Sequence, residues 1–193
     1  MFWIDDVICP QCRMKLNGRF MNVRMNDLKL ETVYCYEGLL REMMIQYKEL
    51  FDEALFPVFL WPYIRILKRK YADRVIVPVP SSQINNEKRG FGAVEKMFSL
   101  LDLPVCEALE KKENHDQKNL KGRERKSIGK YIRLKENMIM ENRKILLVDD
   151  IVTTGETMKA CHDLLKEGND VFLFSVAVNR KWLDKKCRFL MDF

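Results

Sequence analysis

The densest concentration of reactive side chains falls in residues 146–157, LLVDDIVTTGET. Asp149 and Asp150 stand side by side after an apolar run, and Thr153, Thr154, Gly155 and Thr157 follow. A strand buried in a parallel sheet would deliver both carboxylates to its carboxyl end, where such sheets place their ligands. The turn after it opens onto a helix, whose first N–H groups and dipole make an anion site. The threonine hydroxyls add donors without bulk, and Gly155 lets the backbone approach a phosphate closely. Carboxylates about 5–10 Å from such a phosphate site suit the two hydroxyls of a ribose 5-phosphate. Plain helix capping by the threonines, with the aspartates as turn residues, is the competing reading. A carboxylate pair set against a TTGET turn argues against it. A receiver-type phospho-acceptor pocket also begins with a strand ending in two aspartates. That pocket needs far more chain after the pair than the 43 residues that follow Asp150 here.

The elements needed to hold this segment are legible around it. Residues 144–148 (KILLV) and 171–178 (VFLFSVAV) read as strands buried on both faces. Residues 157–167 read as the helix between them, with Met158, Cys161, Leu164 and Leu165 on one face and Gly168 as its stop. Upstream, residues 32–37 (TVYCYE) predict a strand and 38–51 an amphipathic helix. A second helix extends to about residue 71, bent or broken by Pro57 and Pro62. Residues 74–79 (RVIVPV) predict a short strand stopped by Pro80-Ser81-Ser82, 91–101 a helix, and 104–109 and 131–134 further strands. Trp182 and the ending 187–193 predict a last edge strand. Strands alternating with helices imply an α/β fold with a central, mainly parallel sheet flanked by helices. The expected division is a short N-terminal CxxC segment, 1–31, followed by one domain, 32–193.

The whole chain narrows the function classes. A 47% apolar share over 193 residues fits a folded globular protein with a sizeable core. No run of roughly 18 uncharged apolar residues is present, so membrane insertion is not expected. The N-terminus carries Asp5 and Asp6 and lacks the basic-then-apolar pattern of a signal peptide, which makes a cytoplasmic location the expectation. The six cysteines would there be thiols or metal ligands. Cys106 and Cys161 read as small buried apolar residues. Net charge is +6, and residues 111–135 alone hold ten Lys/Arg against three acidic residues. One basic segment on a nearly neutral body points to an anionic partner, or else to a solvated loop. His115 lies in that segment and reads as a solvated loop histidine or an acid–base group.

The 146–157 segment resembles the phosphoribosyl pyrophosphate (PRPP) motif of type I phosphoribosyltransferases: an apolar strand, two acidic residues, then TTGxT. The resemblance implies that Asp149 and Asp150 hydrogen-bond the ribose hydroxyls at the catalytic centre. It assigns the 5-phosphate to Thr153, Thr154, Gly155 and Thr157. The rest of the chain is similar to one branch, the ComF family linked to bacterial competence and DNA uptake. Its pieces run in order: Cys9-Pro-Gln-Cys12, then Tyr36-Glu-Gly-Leu-Leu-Arg41 with Lys48 after it, Val77-Pro-Val-Pro-Ser81, Arg89-Gly-Phe91, and the spaced Gln117, Leu120 and Arg125. The implied fold is the type I phosphoribosyltransferase fold, and the implied cofactor is Mg²⁺ bound with PRPP.

Supporting groups follow from the same comparison. Ser81 and Ser82 would offer amides and hydroxyls to pyrophosphate, with Lys88 and Arg89 adding positive charge; an ordinary turn with surface bases is the equal alternative. The basic stretch, with Gln117, Arg123 and Arg125, matches the flexible loop that such enzymes close over PRPP, and it would equally grip single-stranded DNA. Many ComF proteins carry an N-terminal zinc ribbon built from two CxxC pairs, whereas this chain has only Cys9 and Cys12. Zinc takes four ligands, so Zn²⁺ here needs two more donors or a second copy of the chain. The sequence also has Gly92, Ala93 and Ser127 where the family tends to have Asn, Gln and Asn. Three functions remain open. One is a phosphoribosyl transfer that releases pyrophosphate, with an acceptor no motif identifies. Another is non-catalytic binding of a nucleotide or single-stranded DNA in the DNA-uptake machinery. The third is an interaction protein working with DNA-uptake partners through the CxxC segment.

Overall fold

The computed structural model describes residues 7–111, 132–136 and 138–183. Its centre is a five-stranded sheet in the order β1 (Met21–Met25), β2 (Leu28–Cys35), β7 (Asp170–Val178), β6 (Lys144–Val152), β3 (Val75–Pro78). The four strands from β2 to β3 are parallel, and β1 adds an antiparallel edge through a tight hairpin on β2. A separate antiparallel pair joins β4 (Leu109–Lys111) to β5 (Ile132–Leu134). This is the α/β, mainly parallel architecture expected from alternating strands and helices.

Sequence patterning explains the placement of each central strand. Ile145, Leu146, Leu147 and Val148 are all fully buried, because helices or chain cover both faces of a parallel sheet. Alternate residues serve opposite layers: Leu146 and Val148 join one core, Ile145 and Leu147 the other. The first core is filled by α2 (Gly38–Glu49), α3 (Phe56–Leu60), α4 (Ile64–Lys70) and α6 (Ala93–Phe98). It carries the aromatic mass, with Tyr47, Phe59, Tyr71, Phe98 and Phe174 almost wholly buried. The second core is covered by α7 (Glu156–Leu165), through Met158, Cys161 and Leu165. Burial of the Glu31 carboxylate is compensated by Lys70 at 2.6 Å and the Tyr71 hydroxyl at 2.7 Å.

Several expectations shift. The 51–71 region is broken at its prolines into α3 and α4 with short 3₁₀ turns, as Pro57 and Pro62 demand. Residues 104–109 do not form a full strand; Val105 makes a single bridge to Ile76, and β4 starts at Leu109. β2 starts at Leu28, so the division expected at residue 31 falls inside this strand, where Leu30 and Glu31 already pair with Leu173 and Phe174 of β7. Two elements were not anticipated N-terminal to it. They are α1 (Pro10–Leu16), which seats Leu16 in the first core, and the edge strand β1. Trp182 lies in a 3₁₀ turn, Arg180–Trp182, rather than in a strand, and 187–193 lie outside the described residues. Among the described residues no helix is long and apolar enough to cross a membrane.

Candidate functional site

The carboxyl ends of β3 and β6 lie side by side, with Pro78 opposite Val148. Each strand then turns into a helix: β6 through Thr153–Gly155 into α7, and β3 through Pro80–Ser82 into α5 (Gln83–Arg89). Between them lies a cleft of about 190 Å³ lined by Ser81, Ser82, Asn85, Arg89, Asp149, Asp150 and Thr157. Lys48 from α2 and Lys111 from β4 complete its polar wall.

The two carboxylates differ in environment because β6 continues through both of them. Neighbouring residues in a strand face opposite ways. Asp150 is only 5% exposed on the side of α2, where Lys48 Nζ meets its Oδ2 at 2.7 Å. Asp149 is half-buried on the side of α7, and its charge is felt by the buried Cys161. Burial, reinforced by the Asp150 charge, pushes the Asp149 carboxyl up to about 8; the more distant Lys48 and Lys111 offset this only in part. One member of the pair is therefore charge-compensated, and the other favours its proton near neutral pH.

The turn after the aspartates is braced from three sides. Gly155 has φ 82°, the left-handed conformation that favours glycine, and a Cβ there would fall 2.0 Å from Met25 Sδ. Trp182 Nε1–H donates to the Thr153 carbonyl at 2.8 Å, and the Asn179 N–H donates to that of Val152 at 2.9 Å. The Thr154 hydroxyl accepts from the Glu156 N–H at 3.5 Å. Of the expected phosphate ligands on this turn, Thr157 lines the cleft, whereas Thr153, Thr154 and Gly155 are not among its lining residues.

Across the cleft, Ser82 caps α5, its Oγ accepting from the Asn85 N–H at 3.3 Å. Arg89 closes the helix. Its Nε–H donates to the Lys48 carbonyl at 3.1 Å, its guanidinium lies 5.7 Å from the Phe91 ring centre, and its Nη1 is buried with no acceptor. A buried guanidinium nitrogen without an acceptor is costly, and an anionic ligand would satisfy it. Lys88 points away from this cleft into an adjoining one of about 320 Å³, which it shares with Lys48, Arg89, Tyr36, Phe51 and Ile151. At the mouth of that second cleft Phe51 is half exposed and has φ 60°, unusual for an aromatic residue.

Gln117, Arg123 and Arg125, together with His115 and Ser127, lie outside the described residues. Cys9 caps α1, accepting the Cys12 N–H at 3.4 Å. Among the described residues no group of three or more His, Cys, Asp or Glu side chains converges to hold a metal, and no further donor of these types joins Cys9 and Cys12 there. Asn85 joins the cleft without having been named from sequence; Lys48 and Lys111, expected only as a piece of the family resemblance and as the start of the basic stretch, line it too. A basic residue in the last turn of a helix is so commonly a partner of the dipole that, beyond the family resemblance, Lys48 carried no signal of its own. Its spacing from Met44, four residues earlier, places both along the second cleft.

Residues 65–172 match the phosphoribosyl transferase domain family. Along its length the chain is similar to competence protein ComFC of Bacillus subtilis, with 27% identity covering 91% of this chain and 85% of that protein. It is likewise similar to ComFC of Streptococcus pneumoniae, with 27% identity covering 90% and 81%. Among solved structures, adenine phosphoribosyltransferase from Saccharomyces cerevisiae aligns over 91% of this chain and 96% of its own, at 14% identity and a TM-score of 0.44. The chain thus belongs to the phosphoribosyl transferase domain family, as a ComFC-like member of it.

Proposed function

We propose that the cleft between β3 and β6 binds PRPP or a related ribose 5-phosphate, and that the chain acts in DNA uptake, in keeping with the competence for which its ComFC relatives are named. The observation that carries this is the convergence of Asp149, Asp150 and Thr157 from one strand–helix turn with Ser81, Ser82 and Arg89 from its neighbour. Carboxylates accept hydrogen bonds from the ribose hydroxyls. The amides and hydroxyl of the α7 start hold the 5-phosphate, and Ser81, Ser82 and Arg89 face the pyrophosphate. Arg89 Nη1 then gains the acceptor it lacks.

Mg²⁺ is an oxygen-seeking cation that favours one or two carboxylates together with ligand phosphates, and Asp149 and Asp150 are the donors that fit it here. When bound it neutralises charge on pyrophosphate. For Asp150 to take part, Lys48 must release it, which frees a cation for the ligand's own negative charge. In a transfer reaction a nitrogen nucleophile displaces pyrophosphate at the anomeric carbon, and Lys48, Arg89 and Lys111 stabilise the charge that builds on the leaving group.

A second reading is supported by the adjoining cleft, where Tyr36 and Phe51 stand among Lys48, Lys88 and Arg89. Aromatic faces among cations are how proteins hold single-stranded nucleic acid, so a nucleotide or a DNA end would fit without any transfer. Calorimetric titration with PRPP and Mg²⁺ tests the first reading. Binding should fall at least about a hundredfold in Asp149→Ala/Asp150→Ala, the scale of losing two charge-assisted contacts. Pyrophosphate release across candidate bases and ammonia marks an enzyme. Salt-sensitive single-strand binding without release favours the second reading, and no PRPP binding at all defeats the first.

A further inference from the structure

Outside the cleft, three sulfur atoms gather where the β4–β5 pair meets the second core. Cys106 Sγ lies 4.0 Å from Met138 Sδ and 3.9 Å from Met140 Sδ. All three side chains are half-buried and pack beside the apolar cluster that includes Val77, Ala108 and Ile132. Cys106 was expected to be a small buried apolar residue, as Cys161 is; instead it is half-buried. The thiol has one hydrogen and two thioether acceptors, so it can serve only one at a time. A cation in place of that hydrogen bonds to all three.

The chemistry of this set is selective. Thiolate and thioether donors are soft, and together they favour copper(I) over hard or borderline ions. With metal–sulfur bonds of about 2.3 Å, a three-coordinate ion separates its sulfurs by about 4.0 Å, the √3 multiple for a planar triangle. Both distances from Cys106 already match that edge. The backbone anchors are independent of the sulfurs. The Cys106 N–H donates to the Ile76 carbonyl of β3 at 2.8 Å, and the Lys135 N–H donates to the Ala108 carbonyl at 2.8 Å. The Met138 N–H donates to the Lys135 carbonyl at 3.2 Å, and Asn169 Nδ2 donates to the Met140 carbonyl at 2.7 Å. Donors are thus held in place by contacts that metal uptake need not disturb.

We propose that Cys106, Met138 and Met140 form a binding site for a soft monovalent metal ion, of the copper(I) and silver(I) class. Uptake breaks the Cys106 S–H bond, forms a metal–thiolate bond and releases one proton to solvent. No electron is exchanged. A monovalent ion replacing a proton leaves the net charge of the site unchanged, so a half-buried position accepts it without a buried excess charge. A divalent ion would leave one.

The test is copper(I) titration of the full chain against a colorimetric copper(I) chelator, in a Cys9→Ser/Cys12→Ser background that removes the CxxC thiols. One equivalent should bind, with three sulfurs at about 2.3 Å by X-ray absorption. Met138→Leu/Met140→Leu conserves volume and should keep the fold. It should weaken copper(I) retention by at least about tenfold and lower the sulfur count, and Cys106→Ser should abolish the site. Zn²⁺ should not compete. Unchanged affinity and spectrum in the double Leu variant, or no copper(I) uptake by the background protein, would overturn the proposal and leave the sulfurs as packing contacts.

Discussion

The two walls of the cleft are built to the same plan and held very differently. β3 and β6 are parallel neighbours, and each ends in a short turn into a helix. The helix after β6 buries Met158, Cys161 and Leu165 at 1% exposure or less. The helix after β3 has no fully buried residue; its seven residues are QINNEKR, and Ile84 is 51% exposed. One wall is part of the core. The other rides on the surface, tied by the Ser82 cap and by Arg89 reaching Lys48. Elements with few buried contacts open at lower free energy than core elements. The aspartates and α7 therefore form a fixed wall, while α5 is able to adjust around what enters.

Truncation on each wall gives the widest contrast. Leu165→Ala should cost about 2–5 kcal/mol of global stability, the range for a buried leucine. Ile84→Ala should stay within about 0.5 kcal/mol, as for an exposed position. Denaturant unfolding of the two variants measures both. If Ile84→Ala proves comparably costly, α5 is packed more firmly than its exposure indicates, and the contrast between the walls fails.

A narrower contrast comes from the glycines of the same two walls. Gly155 and Gly90 share nearly the same backbone, with φ of 82° and 81°. An alanine at either position carries a left-handed penalty of about 1–2 kcal/mol. Space separates them: at Gly90 nothing lies within 4 Å of a new Cβ, whereas at Gly155 it meets Met25 Sδ. Gly155→Ala should exceed Gly90→Ala by a further 1–3 kcal/mol or so, the cost of overpacking. Adding Met25→Ala should recover part of that excess and show coupling in a double-mutant cycle. Equal costs would mean that the turn slides off Met25 freely.

The same asymmetry decided what could be read from sequence. β6, α7 and β7 are apolar because they are enclosed, and enclosure shows as the uninterrupted KILLV and VFLFSVAV runs and the face of α7. The aspartate pair was conspicuous against them. α5 has no apolar face, so periodicity was silent, although Ser82 and Gly90 were a start and a stop of the usual kind. β1 was missed although Met21, Val23 and Met25 alternate with Asn22 and Arg24, because an alternation of five residues built mainly on methionine is a weak signal until Leu28–Cys35 lies beside it. Lys48 and Arg89 were named from sequence, one as a piece of the family resemblance and the other as positive charge for pyrophosphate, but their contacts with Asp150 and with each other were not legible. Those contacts depend on the end of α2 arriving at the end of β6, a tertiary fact with no local trace.

A further contrast probes the fixed wall alone, through the proton on Asp149. Its folded value near 8 stands above the ordinary 3.8 that the unfolded chain would show. Between those values the folded protein holds a proton that the unfolded chain has released. This contribution to stability is complete below the unfolded value and declines as pH rises, levelling off above about 8. Asp149→Asn cannot release the proton and should flatten that decline. Ligand binding reads the same proton in reverse. A carboxylate that accepts ribose hydroxyls or holds Mg²⁺ must be ionised, so PRPP binding should expel a proton at neutral pH. Affinity should then climb toward pH 8 by no more than about tenfold per pH unit. Calorimetry in two buffers of different ionisation enthalpy counts the proton directly. Asp150→Ala removes the like charge beside Asp149, so its weaker residual binding should level off at lower pH than in the parent. If the parent instead binds PRPP equally from pH 6 to 9 with no proton released, Asp149 is already ionised in the empty cleft. Burial then does not dominate that wall, and the two carboxylates are electrostatic equals.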